Sequence, residues 1–192
     1  MGLVHFGVPE RVVLFLKKSL GLKTFVETGT MVGGTAAWAA KHFEQVYTIE
    51  ASEALWASAR EKHRRLKNVE FIRGNSPEQI GMLIPHLVRP LFWLDAHWSG
   101  GNTAGKDAEC PLLAELDVIA NSGLSDAAIL VDDARLFLCP PPSPHKWEQW
   151  PDISTVISAI DRCGDFFTVI KDDAIISIPK RERASFVGFL KE

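Results

Sequence analysis

No stretch of this chain approaches the ~18 apolar residues of a membrane span. Its first residues also lack the continuous apolar run of a secretory signal. Cysteine is scarce. Cys110, Cys139 and Cys163 are odd in number, far apart and without metal-site spacing, so a reduced, cytoplasmic setting is expected. A strong charge of either sign is missing too. The net charge of −3 gives no electrostatic case for nucleic acid as the main partner. The densest basic run, Arg60-Glu-Lys-His-Arg-Arg65 with Lys67, lies on an expected helix and reads as a solvated face. Neither an internal repeat nor a linker is present. With 192 residues, 46% hydrophobic and 23% charged, the chain fits one globular domain over 1–192. Within it, a helical segment is expected over 1–22 and a core over 23–180.

What the chain does have is concentrated at Phe25-Val-Glu-Thr-Gly-Thr-Met-Val-Gly-Gly-Thr35, answered by Val46-Tyr-Thr-Ile-Glu50. An apolar run enters Glu27 and a glycine-bearing turn, which opens the small-residue helix Ala36-Ala-Trp-Ala-Ala40. Gly29 can take backbone angles closed to other residues, and Gly33 and Gly34 let a ligand and the helix start approach the strand end. The second run stops on Glu50, about 20 residues past the turn, where nucleotide-binding α/β units place an acid on ribose hydroxyls. This strand–turn–helix–strand–acid unit predicts a nucleoside-bearing cofactor. A glycine turn that merely connects strand and helix is the alternative; the paired acids argue against it.

The turn reads Glu27-x-Gly29-x-x-x-Gly33, whereas the dinucleotide fingerprint reads G-x-G-x-x-G. A carboxylate beside the first glycine suits a cation and is a poor neighbour for a diphosphate. The segment resembles the first motif of class I S-adenosylmethionine-dependent methyltransferases, E/D-x-G-x-x-x-G, whose cofactor carries a sulfonium and an ammonium group. That resemblance implies a cofactor pocket of Glu27, Gly29, Thr30, Gly33 and Thr35, with Glu50 and Ala51 at the ribose. Asn75 and Ser76 would face the adenine, and Asp95 would close the pocket.

The periodicity predicts a helix over Pro9–Leu20 stopped by Gly21, then strands at Thr24–Glu27, Val46–Glu50 and Val69–Arg73. Helices are expected at Gly34–His42, from a Ser52 cap to Leu66, and from Ser76-Pro77 onward. Leu91–Asp95 and Ala127–Asp133 read as strands, Ala108–Ala120 and Asp152–Cys163 as helices. Phe166–Ile170 and Ala174–Ile178, joined at Lys171-Asp-Asp173, read as an antiparallel hairpin. The fold class expected is α/β, a doubly wound, mainly parallel seven-stranded sheet with an antiparallel C-terminal hairpin strand. That order of elements extends the methyltransferase resemblance over roughly residues 20–180.

Four of the strands end in acids: Glu27, Glu50, Asp95 and Asp132-Asp133. Acids crowded on one rim repel unless cations sit among them. The cofactor accounts for two, and hard oxygen ligands like the rest suit Mg²⁺. The trio resembles the metal site of methyltransferases acting on sugars of macrolide and aminocoumarin antibiotics, which implies Asp95, Asp132 and Asp133 as ligands. Leu94-Asp-Ala-His-Trp-Ser-Gly-Gly101 departs from that subgroup's wording and is similar to methyltransferase-like proteins of bacterial polysaccharide loci. On the plainer reading, Asp133 caps a short helix and Asp132 bonds a loop. Asp95 with His97, two residues on, is a good general-base arrangement. For Asn75-Ser76 a helix cap by Ser76 is an equal reading and does not exclude the adenine role.

Two segments read as mobile access elements: Ser99–Asp107, with its glycine clusters, and the proline-rich Leu138–Pro151. In the latter, Trp147 and Trp150 either stack on a ligand or pin the loop. Trp38 and Trp56 read as packing residues. The function expected is O-methylation of a small hydroxylated acceptor such as a sugar, with S-adenosylmethionine and Mg²⁺ as cofactors. Two alternatives stand beside it, an NAD-dependent oxidoreductase and a non-catalytic S-adenosylmethionine-binding module.

Overall fold

Strands and helices alternate five times before a hairpin closes the sheet. The computed structural model describes residues 7–100, 103–124 and 126–192. Its strands are β1 (Thr24–Thr28), β2 (Gln45–Glu50), β3 (Val69–Arg73), β4 (Pro90–Leu94), β5 (Ala128–Val131), β6 (Phe166–Lys171) and β7 (Ala174–Pro179). They form one seven-stranded sheet in the order β3-β2-β1-β4-β5-β7-β6, parallel except for β7, which runs antiparallel to β5 and β6. The helices are α1 (Glu10–Leu20), α2 (Gly34–Ala39), α3 (Glu53–Lys62), α4 (Ser76–Leu83), α5 (Leu112–Ala120), α6 (Arg135–Leu138), α7 (Ile153–Cys163) and α8 (Arg183–Leu190).

Side chains alternate across a strand, so each strand feeds two cores. Phe25, Leu91, Trp93, Ala128 and Leu130 face Val12, Val13 and Leu16 of α1, Ala36 and Ala39 of α2, and Phe186 of α8. Val26, Phe92, Leu94, Ile129 and Val131 face Ile80 of α4, Leu116 of α5, and Val156 and Ile160 of α7. Every residue of β1, β4 and β5 is buried, the pattern of parallel strands covered on both faces. Each such Leu, Ile or Phe contributes about 1.5–3 kcal/mol of transfer free energy.

Local chemistry sets the boundaries. Gly21 ends α1 in the left-handed region at φ 63°, its N–H bonding Lys17 O. Asp152 caps α7 by accepting the Thr155 N–H at 2.8 Å. Asp172 and Asp173, both at positive φ (50° and 65°), form the two-residue turn of the β6–β7 hairpin. Two positive φ values in such a turn match the right-handed strand twist.

Several elements differ from expectation. α2 stops at Ala39 rather than His42, and α3 at Lys62 rather than Leu66. Ser52 and Asn75 occupy N-cap positions without a side-chain cap bond, and Ser76, the expected cap, is instead the first residue of α4. α5 starts at Leu112, four residues after the expected Ala108, because Glu109 is committed to a different set of partners. α8 was not anticipated. Met1–Phe6 of the N-terminal segment and Gly101 and Asn102 of the glycine-rich segment lie outside the described residues. No helix among the described residues is long and apolar enough to cross a membrane.

Candidate active site

From β1 the chain builds outward through β2 and β3, then returns to place β4 on the other side of β1. Helices leave on opposite sides there, and ligands of open α/β sheets bind in the crevice this opens at the strands' carboxyl ends. A cleft of about 470 Å³ lies there, lined by Gly29, Glu50, Ala51, Asn75, Ser76, Asp95 and His97 among others. Glu27, Thr30, Gly33 and Thr35, expected in the same pocket, do not line it.

Gly29 is held by two constraints. Its φ is 84°, and a Cβ there would fall on the Asp95 backbone, 2.9 Å from the carbonyl carbon. The β1 turn thus lies directly against the exit of β4. Glu50 accepts the Met31 N–H at 3.0 Å through Oε2 and the Ser52 N–H at 2.9 Å through Oε1. It pins the turn to the end of β2, and each oxygen keeps acceptor capacity on the cleft side.

Glu27 is buried below the floor, where it accepts the Thr48 hydroxyl proton at 2.5 Å, and Thr48 in turn meets Thr30 Oγ1 at 2.6 Å. Burial pushes its pKa up to about 8, against the hydrogen bonds from Thr48 and Thr35 and with the Glu50 charge adding to the rise. Thr30 is buried with it, and Gly33 packs against the His63 ring. The reason is geometric: side chains inside β1 point into the layers, and only the turn beyond the strand faces the ligand edge.

At one end of the cleft three donors converge: Asp95, His97 and Asp133. His97 Nε2 lies 2.7 Å from Asp133 Oδ2 and 3.4 Å from Asp95 Oδ1. Nε2 is buried, yet no hydrogen-bond partner lies along its N–H direction, so the 2.7 Å approach is close but misaligned. The expected trio of Asp95, Asp132 and Asp133 is thereby altered, since the Asp132 donors are not in this group. Asp132 instead turns back, its Oδ1 accepting the Asp133 N–H at 2.8 Å. Asp133 takes a left-handed backbone (φ 56°), a conformation Asp tolerates, and does not cap α6.

The charges there are strongly coupled. Burial raises Asp95 well above the usual carboxylate range, and the charges of Asp132, Asp133, Glu27 and Glu115 add to this. Asp132 is pushed up to about 7 by burial and by Asp133. Asp133 goes the other way. Burial works to raise it, but the His97 ring 2.7 Å away, with Arg135, holds it below the usual value.

Residues that sequence reasoning missed complete the site. Arg135 reaches Asp133 Oδ1 at 2.5 Å and also binds the Asp173 carboxylate from the hairpin turn. Glu115 of α5 is 1% exposed, with Oε1 unpartnered, and burial lifts its pKa to about 7. It lines a water-sized cavity of about 10 Å³ with Asp95, His97, Cys110 and Asp132. A charged residue three positions from Leu112 and one before Leu116 was the available signal, since it shares their buried face. Cys110 is no nucleophile: burial drives its thiol to about 12. Glu109 fastens the proline-rich segment, and Trp150 is buried there while Trp147 remains 59% exposed.

No family model and no curated protein matches the chain. Solved structures do. A candidate caffeoyl-CoA O-methyltransferase from Staphylococcus aureus is 16% identical over 92% of this chain and 86% of its own, with a TM-score of 0.61. An O-methyltransferase from Bacillus cereus, in complex with SAH, is 16% identical over 92% and 83%, with a TM-score of 0.57. The N-methyltransferase NodS from Bradyrhizobium japonicum WM9 is 13% identical over 89% and 96%, with a TM-score of 0.54. The fold is that of the class I methyltransferases. At such identities the likeness is one of fold, and the chemistry has to be argued from the cleft itself.

Proposed function

We propose that the protein transfers a methyl group from S-adenosylmethionine to a hydroxyl oxygen of a small acceptor, a sugar or similar polyol. The observation that carries this reading is one continuous cleft. It runs from the Gly29 turn past Glu50 and Ala51, then Asn75 and Ser76, to Asp95 and His97. Glu50 would take the ribose hydroxyls on its free acceptor positions, and Asn75 and Ser76 would border the adenine. The cation of the cofactor would relieve repulsion among the rim acids, which NAD with its diphosphate would worsen. Glu27, Thr30, Gly33 and Thr35 would shape the turn from below and behind.

In the reaction the acceptor oxygen attacks the methyl carbon in line with the carbon–sulfur bond. That bond breaks, S-adenosylhomocysteine leaves, and the acceptor proton passes to the Asp95–His97 pair. Trp150 against the His97 ring, with Thr103, Ala104 and Gly105 in the cleft wall, would keep water from the sulfonium. A divalent ion, Mg²⁺ in the sequence-based expectation, would acidify the hydroxyl when bound. The donors that fit such an ion are those of Asp95, His97 and Asp133, with Asp132 behind them.

Calorimetry with S-adenosylhomocysteine and with NAD tests the reading. The nucleoside should bind and raise the melting temperature, since only the folded state has the site. Tight NAD binding with no binding of S-adenosylhomocysteine would reject it. Binding without turnover across a panel of hydroxylated acceptors would instead favour a non-catalytic module.

A further inference from the structure

We propose that Asp95, His97 and Asp133 bind a later divalent first-row transition ion (Co²⁺ or Zn²⁺) in preference to Mg²⁺, with His97 Nε2 as a ligand. Ligands bound at about 2.0–2.2 Å sit roughly 2.9–3.5 Å apart around one ion. Nε2 lies 2.7 Å from Asp133 Oδ2 and 3.4 Å from Asp95 Oδ1, so the donors need to move by only a few tenths of an ångström. All three donor atoms lie within 4.8 Å of one another. The orphaned state of Nε2 is a second, independent observation. An imidazolium paired to Asp133 would aim its N–H at the carboxylate, whereas this nitrogen is buried with nothing along that direction.

The surroundings suit ligation. The Trp150 ring, 5.3 Å from the His97 ring centre, holds the imidazole in place. Nδ1 faces the Trp98 carbonyl at 3.5 Å and the Ser99 hydroxyl at 3.4 Å, partners of the kind that leave Nε2 bare for a metal. Arg135 occupies the other oxygen of Asp133 and fixes its orientation. Two carboxylates with a neutral imidazole balance a 2+ ion. Glu115 Oε1, buried and unpartnered beside the water-sized cavity that Asp95 and His97 also line, would accept from a bound water.

The donor set decides the metal. Mg²⁺ takes oxygen ligands and keeps its waters, while imidazole favours the later first-row ions. Asp132, which an all-carboxylate site would need, accepts the Asp133 N–H through Oδ1 and places no donor atom in the group of Asp95, His97 and Asp133. On the methyl-transfer reading, on which this consequence rests, the acceptor hydroxyl would enter an open coordination position. The proton would then go to a carboxylate oxygen rather than to His97.

Chelator-stripped protein is titrated with Co²⁺ and followed by visible absorption, with Mg²⁺ as competitor. One Co²⁺ per chain should bind and resist displacement by equal Mg²⁺. His97→Ala and Asp95→Asn should each weaken Co²⁺ by more than the ~10–100-fold that loss of an outer-shell partner costs. Should a variant fail to fold, pulsed electron paramagnetic resonance of Co²⁺ in the wild type reads nitrogen coupling from a bound imidazole directly. No Co²⁺ binding, displacement by equal Mg²⁺, unchanged affinity in folded His97→Ala, or absence of nitrogen coupling would each overturn the assignment. S-adenosylhomocysteine binding to the stripped wild type is measured alongside. Its persistence separates failure of the metal site from failure of the methyltransferase reading.

Discussion

Glu109 accepts the indole N–H of Trp150 at 2.9 Å, across 41 residues of chain, and so ties the segment after β4 to the proline-rich segment after α6. The same carboxylate receives the Lys146 backbone N–H at 3.1 Å and faces His145 Nδ1 at 3.1 Å. Burial works to raise its pKa, but these hydrogen bonds and His145 hold it below the ordinary value. The fastened Trp150 then lies against the rings of His97, Phe137 and His145. A loop that looks like an access flap is therefore part of the wall of the site.

Breaking that tie should cost stability and loosen the wall. Glu109→Ala should destabilise the protein by about 1.5–3 kcal/mol, the range for hydrogen bonds to a charged group, in urea denaturation. Because the folded pKa is depressed, the stabilisation is present above the unfolded value of about 4.3 and lost as pH falls through the folded one. Tryptophan fluorescence of the wild type should change in that acidic window and that of Glu109→Gln should not. The same acid transition in both proteins would exclude Glu109 as its source.

Gly29 makes a sharper test of how the turn is built. Its positive φ and the Asp95 backbone beside it leave no room for a methyl group. Gly29→Ala should therefore lose more than the ~1 kcal/mol of the conformation alone. S-adenosylhomocysteine affinity should fall with it, because the displaced turn carries the floor of the cleft. A variant with wild-type stability and binding would mean that the β1–β4 approach is not tight.

Much of this was legible in the chain. Short apolar runs and turn chemistry located β1 to β7, and the Asp172-Asp173 pair announced the hairpin. The acids at strand ends marked the rim. Direction and depth were harder to read. Glu27 ends a strand-like run and yet points down into Thr48, because strand residues face the layers rather than the edge. Asp132 and Asp133 look interchangeable in sequence. A left-handed backbone at Asp133 sends one carboxylate to His97 and leaves the other to bond its neighbour's N–H. Glu109 and Glu115 hid in a segment read as one helix. Their partners are 36 to 41 residues away for Glu109, and for Glu115 lie on other elements, so no local pattern reports them.

Glu27 also makes the folded protein sensitive to pH. Its folded pKa of about 8 stands above the ordinary value of 4.5, so its stabilising contribution is complete below 4.5 and is lost as pH rises to about 8. Asp132 and Glu115, both raised to about 7, act in the same direction. The free protein should thus lose stability between pH 5 and 8, and Glu27→Gln, which keeps an acceptor for Thr48, should flatten that slope. Denaturation midpoints at the two pH values measure it. An equally steep slope in the variant would place the effect elsewhere.

The last prediction concerns whether His97 and Asp133 act as one unit. His97 Nε2 lies 2.7 Å from the Asp133 carboxylate, so proton transfer or ion binding at one involves the other. Removing either partner should lower turnover by roughly 10²–10⁴-fold, the range of a positioned proton-transfer group. Residues that function together lose their effect together, so His97→Ala with Asp133→Asn should be little worse than the more damaging single change. Independent roles would instead multiply, to about 10⁴–10⁸-fold on the same scale. S-adenosylhomocysteine affinity, measured on each variant, keeps a lost pocket from passing as lost chemistry. If the double variant falls by the product of the two single effects while still binding the nucleoside, the two side chains serve separate steps and the shared site is wrong.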